Sequence, residues 1–151
     1  MSKKTKEIRI KNRRATYDYF IEQEFDAGIV LTGAEVKSVR DGKASISEAY
    51  CFLTKTGIMI KGMHIAEFQN AGYVEQTPLR DRVLLLNNSE LKKLRGKMKD
   101  QGYTLIPMEL YFAASGYAKL KIGLGRGKKN YDKRQDIKSK DVKKEMDRYV
   151  G

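Results

Sequence analysis

Catalysis needs convergent groups, and few residues of this chain could supply them. The one histidine, His64, lies between Met63 and Ile65 with no partner motif, and the one cysteine, Cys51, adjoins Phe52 and Leu53 in an apolar run. One His and one Cys fall short of a zinc site with normal ligand spacing. A thiol in such a run reads first as a small core residue, and a single Cys forms no intramolecular disulfide. No GxxxxGK[ST] phosphate cradle is present, and Gly123-Leu-Gly125-Arg-Gly127 misses the GxGxxG spacing. Glu22 and Glu24 fall on the outward side of a predicted strand, where carboxylates are ordinarily solvated. The residues therefore predict no catalytic group, no metal and no cofactor.

The chemistry that the residue types do support is contact with a polyanion. Gly125-Arg126-Gly127-Lys128-Lys129-Asn130-Tyr131-Asp132-Lys133-Arg134 sets cations around two glycines and one aromatic ring. Glycine lets a partner approach the backbone closely, and a tyrosine stacked on an accessible base contributes about 1–3 kcal/mol. A glycine-loosened exit into a disordered basic tail explains the same composition equally well.

Charge placement points the same way. The chain carries +12, but residues 1–14 hold seven Lys/Arg against Glu7 and residues 126–151 hold ten against five acids, while 15–125 nets only +1. Cations that neutralise phosphates release counterions, with a log–log salt slope of about −0.9 per contact on duplexes and about −0.7 on single strands. Solubilising ends and an anionic membrane surface are the competing explanations. The membrane reading lacks an apolar face at either end. Residues Met1 to Lys11 have no signal-peptide apolar stretch, and no run nears the roughly 18 apolar residues of a membrane span. A cytoplasmic protein is expected.

These groups need a scaffold. Tyr17, Tyr19, Ile21 and Phe25 alternate as in a strand, interrupted at Asp26-Ala27-Gly28 and resumed at Ile29-Val30-Leu31. Residues 34–40 predict a short helix with Val36 and Val39 opposite Lys37 and Arg40, stopped at Gly42. Strands are expected over 46–54 and 58–61 around a Lys55-Thr56-Gly57 turn, a loop over 67–78, and an apolar run of undecided type at 83–86. Asn88 should cap a helix over 89–101 that buries Leu91, Leu94 and Met98. Strands 103–113 and 117–124 follow, joined at Ser115-Gly116. The order predicts a mainly β chain with a few helices (α+β): an OB-fold-like antiparallel barrel with flanking helices. We expect one domain over 1–130, with 1–11 as a basic arm, and a basic tail over 131–151. The sparse apolar stripe of that tail predicts disorder alone and a helix on a polyanionic partner.

Several stretches, in this order, carry a resemblance. They are Asn12-Arg13-Arg14-Ala15 with Asp18-Tyr19-Phe20-Ile21-Glu22, Ala27-Gly28-Ile29-Val30-Leu31-Thr32-Gly33 running into Glu35-Val36-Lys37-Ser38, and Gly62-Met63-His64-Ile65. Pro78-Leu79-Arg80 with Leu84-Leu85-Leu86, and Arg126 through Arg134, complete them. Over nearly the whole chain this resembles the small protein B family, the SsrA-binding proteins of bacteria.

The resemblance implies an adaptor that holds the tRNA-like domain of transfer-messenger RNA (tmRNA) and enters stalled ribosomes with it. There it stands in for the anticodon arm at the small-subunit decoding site, its tail in the empty mRNA channel, while peptidyl transfer belongs to the ribosome. Elongation factor Tu stays open as a further member of the complex. By position, Asp26, Gly28, Leu85 and Lys119 should lie on the RNA-binding face, with Asn12 and Tyr17 beside them or at the decoding site. Gly127, Tyr131, Asp132, Lys133 and Arg134 should begin the ribosome-reading tail, with Ile137 and Met146 as apolar contacts. Arg13, Lys37, Arg40, Lys121, Arg126, Lys128 and Lys129 are expected to join the RNA-binding set, and Lys138 the tail set. The chain departs from the family pattern at Tyr17 (commonly His), at Asp26 (commonly Glu) and before Pro78, where the usual His-Asp pair is missing. A general ribosomal or cold-shock-like RNA binder, and an RNA-processing enzyme, are the rival readings.

Overall fold

The computed structural model describes residues 8–68, 77–99 and 102–128. In chain order its elements are β1 (Arg9–Lys11), α1 (Ala15–Asp18), β2 (Tyr19–Ile29), α2 (Gly33–Arg40), β3 (Ala44–Ser45), β4 (Tyr50–Leu53), β5 (Ile58–Lys61), β6 (His64–Ile65), β7 (Arg82–Leu85), α3 (Asn88–Met98), β8 (Tyr103–Phe112) and β9 (Ala118–Gly127).

Alternation decides what each strand buries. Phe25, Ala27 and Ile29 of β2 and Ala118, Leu120, Ile122 and Leu124 of β9 point inward, where they meet Ile58, Ile60, Leu84, Leu105 and Leu110 in one core. The antiparallel pairings run β8–β4–β5–β7–β2–β9 and return from β9 to β8, so the strands close into a ring. Closure leaves few free strand edges. β1 lies on the edge of β8 at Glu109–Tyr111, beyond the point where β4 meets that same edge at Leu105. The mainly β, OB-like architecture expected from the element order is the one observed.

The helices pack on the strands, α1 against β2 and β8, α2 against β6 and α3 against β8. α2 begins in a capping box, the Thr32 hydroxyl accepting from the Glu35 amide and the Glu35 carboxylate from the Thr32 amide. It stops as expected, Gly42 taking a φ of +75°. α3 crosses from β7 to β8 on the buried Leu94. Where β2 and β9 pair, Gly125 has no room for a side chain: a Cβ there would lie 2.3 Å from the Phe20 carbonyl oxygen.

Several local expectations change. Residues 15–18 coil into α1, so Tyr17 belongs to a helical turn and not to the strand. The irregularity in β2 falls between Ile21 and Gln23, not at 26–28. Asn87, not Asn88, caps α3, because its side chain accepts from the Glu90 amide, and α3 ends at Met98. The expected strand over 46–54 is only Tyr50–Leu53, and the 83–86 run resolves as strand β7. Arg9–Lys11, expected in a basic arm, forms a strand. The basic tail expected over 131–151, helical on a partner, lies outside the described residues.

Candidate nucleic-acid interface

The register of five strands writes two rows across the outer face of the ring. One reads Leu85, Gly28, Lys119, Tyr111, Arg9 from β7 through β2, β9 and β8 to β1. The next reads Asp26, Lys121, Glu109, Lys11. Asp26, Gly28, Leu85 and Lys119, separated widely in sequence, thus become neighbours. Inward alternation forces this: Ala27 and Leu120 face each other in the core, so Gly28 and Lys119 must face out.

The rows are internally braced. The Tyr111 hydroxyl donates to Asp26 Oδ1 at 2.7 Å. Burial, then this hydrogen bond and the carboxylate charge, push the phenol up to about 12, so it remains a donor at any ordinary pH. Arg9 Nη1 donates to Glu109 Oε1 at 2.8 Å and its guanidinium lies 5.3 Å from the Tyr111 ring centroid. Lys121 Nζ is 3.9 Å from Glu24 Oε2. Lys119 makes no ion pair among the described residues, and Leu85 is 57% exposed. The face therefore offers an uncommitted ammonium, an oriented carboxylate, an apolar side chain and bare backbone between them. Polar and charged groups so arranged suit phosphate, ribose and base edges together.

Further cations rest on aromatic rings. At the α2 end, the Arg40 guanidinium lies 4.2 Å from the Phe112 centroid and Lys37 Nζ lies 5.4 Å from that of Phe68. At the other end, Arg126 lies 4.4 Å over Tyr103, whose hydroxyl donates to Glu22. Lys128 Nζ donates to the Thr16 carbonyl at 2.8 Å and lies 4.9 Å from the Phe20 centroid. Gly127 is the last residue of β9, so β9 connects the two ends. Arg13 is exposed on the approach to α1, and Tyr17 is half-buried within it. Asn12 is not at the surface: it is 9% exposed, donates from Nδ2 to the Pro107 carbonyl at 2.9 Å and accepts from the Arg14 amide. Its carboxamide ties the chain before α1 to β8. Lys129, Tyr131, Asp132, Lys133, Arg134, Ile137, Lys138 and Met146 lie outside the described residues.

Sequence reasoning missed Tyr111, Arg9 and Lys11 as members of the face. A three-residue strand is too short to show alternation, and Tyr111 acquires its role only from the β8–β9 register. It also missed a buried ionic knot behind the face. Arg82, 0% exposed, donates to Glu35 Oε2 at 2.8 Å and to the carbonyls of Met63, Arg80 and Pro78. Arg80 binds the same carboxylate. Burial alone would raise the Glu35 carboxyl. Hydrogen bonds from Arg80, the Thr32 amide and Arg82, with the Arg82 charge, hold it below the usual value. The signal available was an arginine opening an apolar strand, which needs a buried acid.

A closed, mainly β OB-like ring with a braced cationic outer face defines a small RNA-binding barrel protein. Residues 9–151 match the model of the SmpB protein family. The chain belongs to that family, the SsrA-binding proteins. It is 48% identical to the SsrA-binding protein of Bacteroides thetaiotaomicron over 93% of this chain and 94% of that one. With that of Acetivibrio thermocellus it shares 45% over 98% and 96%, and with that of Bacillus subtilis 40% over 98% and 94%. A solved chain described under "tmRNA-SmpB: a journey to the center of the bacterial ribosome" is 37% identical, with a TM-score of 0.68 over 86% of this chain and 94% of that one.

Proposed function

We propose that this protein is an RNA-binding adaptor, not a catalyst, that holds the tRNA-like domain of tmRNA and delivers it to stalled ribosomes for trans-translation. The observation that carries this is the row Leu85, Gly28, Lys119 with Asp26 beside it, four residues brought to one outer face by strand register. Relatives similar over nearly their full length are SsrA-binding proteins, and a solved relative is described with tmRNA and the ribosome. On this reading Asp26, Gly28, Leu85, Lys119 and Lys121, with Lys37 and Arg40 at the α2 end, grip the tRNA-like domain. Arg126 and Lys128 lead into the tail from Lys129 onward, which enters the mRNA channel. The place of work is the cytoplasm, where ribosomes are. Among the described residues no helix is long and apolar enough to cross a membrane.

A gel shift with the tRNA-like domain of tmRNA, an elongator tRNA and an unrelated hairpin of equal length tests the grip. The adaptor keeps its preference for the tRNA-like domain as salt rises, because shape and base contacts persist when counterion release fades. Equal loss on all three RNAs would instead identify a general RNA binder, and altered RNA products after incubation would identify an enzyme. Deleting residues 131–151 should leave the gel shift intact and abolish tagging of nascent chains. A large loss of RNA affinity on deletion would place the tail on the wrong partner.

A further inference from the structure

The outer side of β4, β5 and β7 carries an apolar row that the core leaves over. Strand register sets Phe52 opposite Met59 and Met59 opposite Val83. Val30 continues the row at the end of β2, its amide donating to the Val83 carbonyl at 3.0 Å. Cys51, Ile58, Ile60, Leu84 and Ile29 are the alternate residues turned into the core, so Phe52, Met59, Val83 and Val30 point out. Val30 and Val83 are exposed, Phe52 and Met59 partly so. The exposed Tyr50 lengthens the row, its ring centroid 6.3 Å from that of Phe52. Apolar side chains scattered over a surface need no explanation, but a contiguous row in register marks a contact.

Two occupants fit poorly. The row crosses three inter-strand gaps, about 14 Å at roughly 4.8 Å each, and is one side chain wide. That falls well short of the roughly 800 Å² per partner of a standard interface, and a second copy would bring its own +12 to the contact. RNA is held chiefly by cations on phosphates. The row contains none, and Val30, Met59 and Val83 offer no plane for a base to stack on.

A protein helix fits better. β5 is paired on both sides, to β4 and to β7, so no edge is open for an added strand and a partner can use side chains alone. Methionine and aromatic side chains favour such contacts. Cations border the row: Lys61 faces out opposite Tyr50, Lys55 stands in the β4–β5 turn, and Arg95 reaches over to the Thr54 carbonyl at 2.6 Å. Lys55 and Lys61 form no ion pair among the described residues, and Asp81 is the acid that borders the same row. Helix positions i to i+7 span about 10.5 Å, so the row holds three successive anchors. We propose that this row docks an acidic amphipathic helix of a protein partner, with apolar residues at i, i+4 and i+7. Along β7 and β2 the row lies two residues from Leu85 and Gly28, so such a partner borders the RNA held by the Gly28–Lys119 row. The inference goes beyond the adaptor reading and does not depend on it.

The test uses the full-length protein and a fluorescent peptide of about 18 residues, long enough to hold a helix. Leucines at i, i+4, i+7 and i+11 are set among Glu and Ala, and a scrambled peptide of the same composition is the control. By anisotropy the parent should bind the amphipathic peptide at least about tenfold more tightly than the scramble, the difference between placed and unplaced leucines. Met59→Gln with Val83→Thr keeps the side-chain lengths and should melt near the parent, yet bind that peptide about tenfold more weakly. Lys61→Glu should weaken binding several-fold and Lys61→Arg should not. All variants should shift a transcript of the tRNA-like domain as the parent does. Equal binding of the two peptides, or unchanged binding by the folded double variant, overturns the proposal. So does a parallel loss on the transcript, which would make the row part of the RNA face. A dimer in sedimentation that the double variant abolishes would assign the row to a second copy and overturn it too. None of these results alters the parent's choice among RNAs, on which the adaptor reading stands.

Discussion

Gly28 separates what the fold needs from what a partner needs. It sits in β2 between Leu85 and Lys119, and its φ is not positive. A Cβ there would lie 3.5 Å from Leu85 Cβ and 3.8 Å from Leu85 Cδ1, ordinary contact with a side chain that is 57% exposed and free to yield. The chain alone therefore has no use for glycine here. Alanine should stabilise it by about 0.4–1 kcal/mol through the lost entropy of the unfolded chain, and valine suits a strand still better. At about 2–4 °C per kcal/mol for a chain of this size, Tm should rise by about 1–4 °C. RNA binding should move the other way. If a ribose or phosphate rests on the bare backbone, two valine methyls displace it, and a tenfold loss corresponds to about 1.4 kcal/mol. Thermal melts and filter binding of the tRNA-like domain, on Gly28→Ala and Gly28→Val, give both signs. Unchanged affinity in Gly28→Val would refute close approach at this row. A fall of several degrees in Tm would show that the glycine serves the fold.

Further outcomes follow from the groups around the face. Tyr111→Phe should lower RNA affinity a few-fold by releasing Asp26 from its hydrogen bond. In alkaline titration it should also delete a late-ionising phenol, because Tyr111 is raised from 10.0 to about 12. The stability it contributes is present below pH about 10 and lost as pH climbs through about 12. Glu35→Gln strips the fully buried Arg82 of its counter-charge and should cost about 3–5 kcal/mol in chemical denaturation. Because the Glu35 carboxyl is held below its ordinary 4.5, its stabilisation is present above that pH and lost as pH falls through the lower folded value; the Gln variant should lack this acid-side loss. Burial pushes the Cys51 thiol up to about 12, so a disulfide reagent at pH 8 should label it only in denaturant.

How much of this was legible depended on the distance over which each pattern acts. The inward alternation of Leu120, Ile122 and Leu124 could be read directly, because strand period is local. The ending of α2 could too, since Gly42 signals it. The start of β2 could not: Tyr17 keeps step with Tyr19, Ile21 and Phe25, and only backbone bonds from Ala15 to Asn12 and from Asp18 to Arg14 reveal the turn. Family resemblance named Asp26, Gly28, Leu85 and Lys119 together, while periodicity alone supplied no reason for them to meet. That reason is the ring, whose β2–β7 and β2–β9 registers join residues more than fifty apart. Glu35 and Arg82, 47 residues apart, were invisible for the same cause.

The charge count of the sequence described the middle of the chain as neutral, and the structure explains why a neutral body can still present a cationic face. Pairing does not supply it: Glu35 is turned inward with two arginines, Arg80 and Arg82, and Glu109 is engaged by Arg9, so these contacts withdraw at least as many cations as acids. β1 meanwhile brings Arg9 and Lys11 out of the presumed arm and onto the sheet. The cations thus sort by end of the ring and not by end of the chain. Along β9, Lys119 and Gly127 are eight residues apart, about 26 Å at roughly 3.3 Å per residue. That is about three Debye lengths at physiological salt, where the length is about 8 Å. Two polyanions held at such a spacing neither repel each other strongly nor compete for the same lysines. On the proposed function, β9 thus sets the Lys119 row, which would grip the tRNA-like domain, apart from the Gly127 end, from which the tail leads.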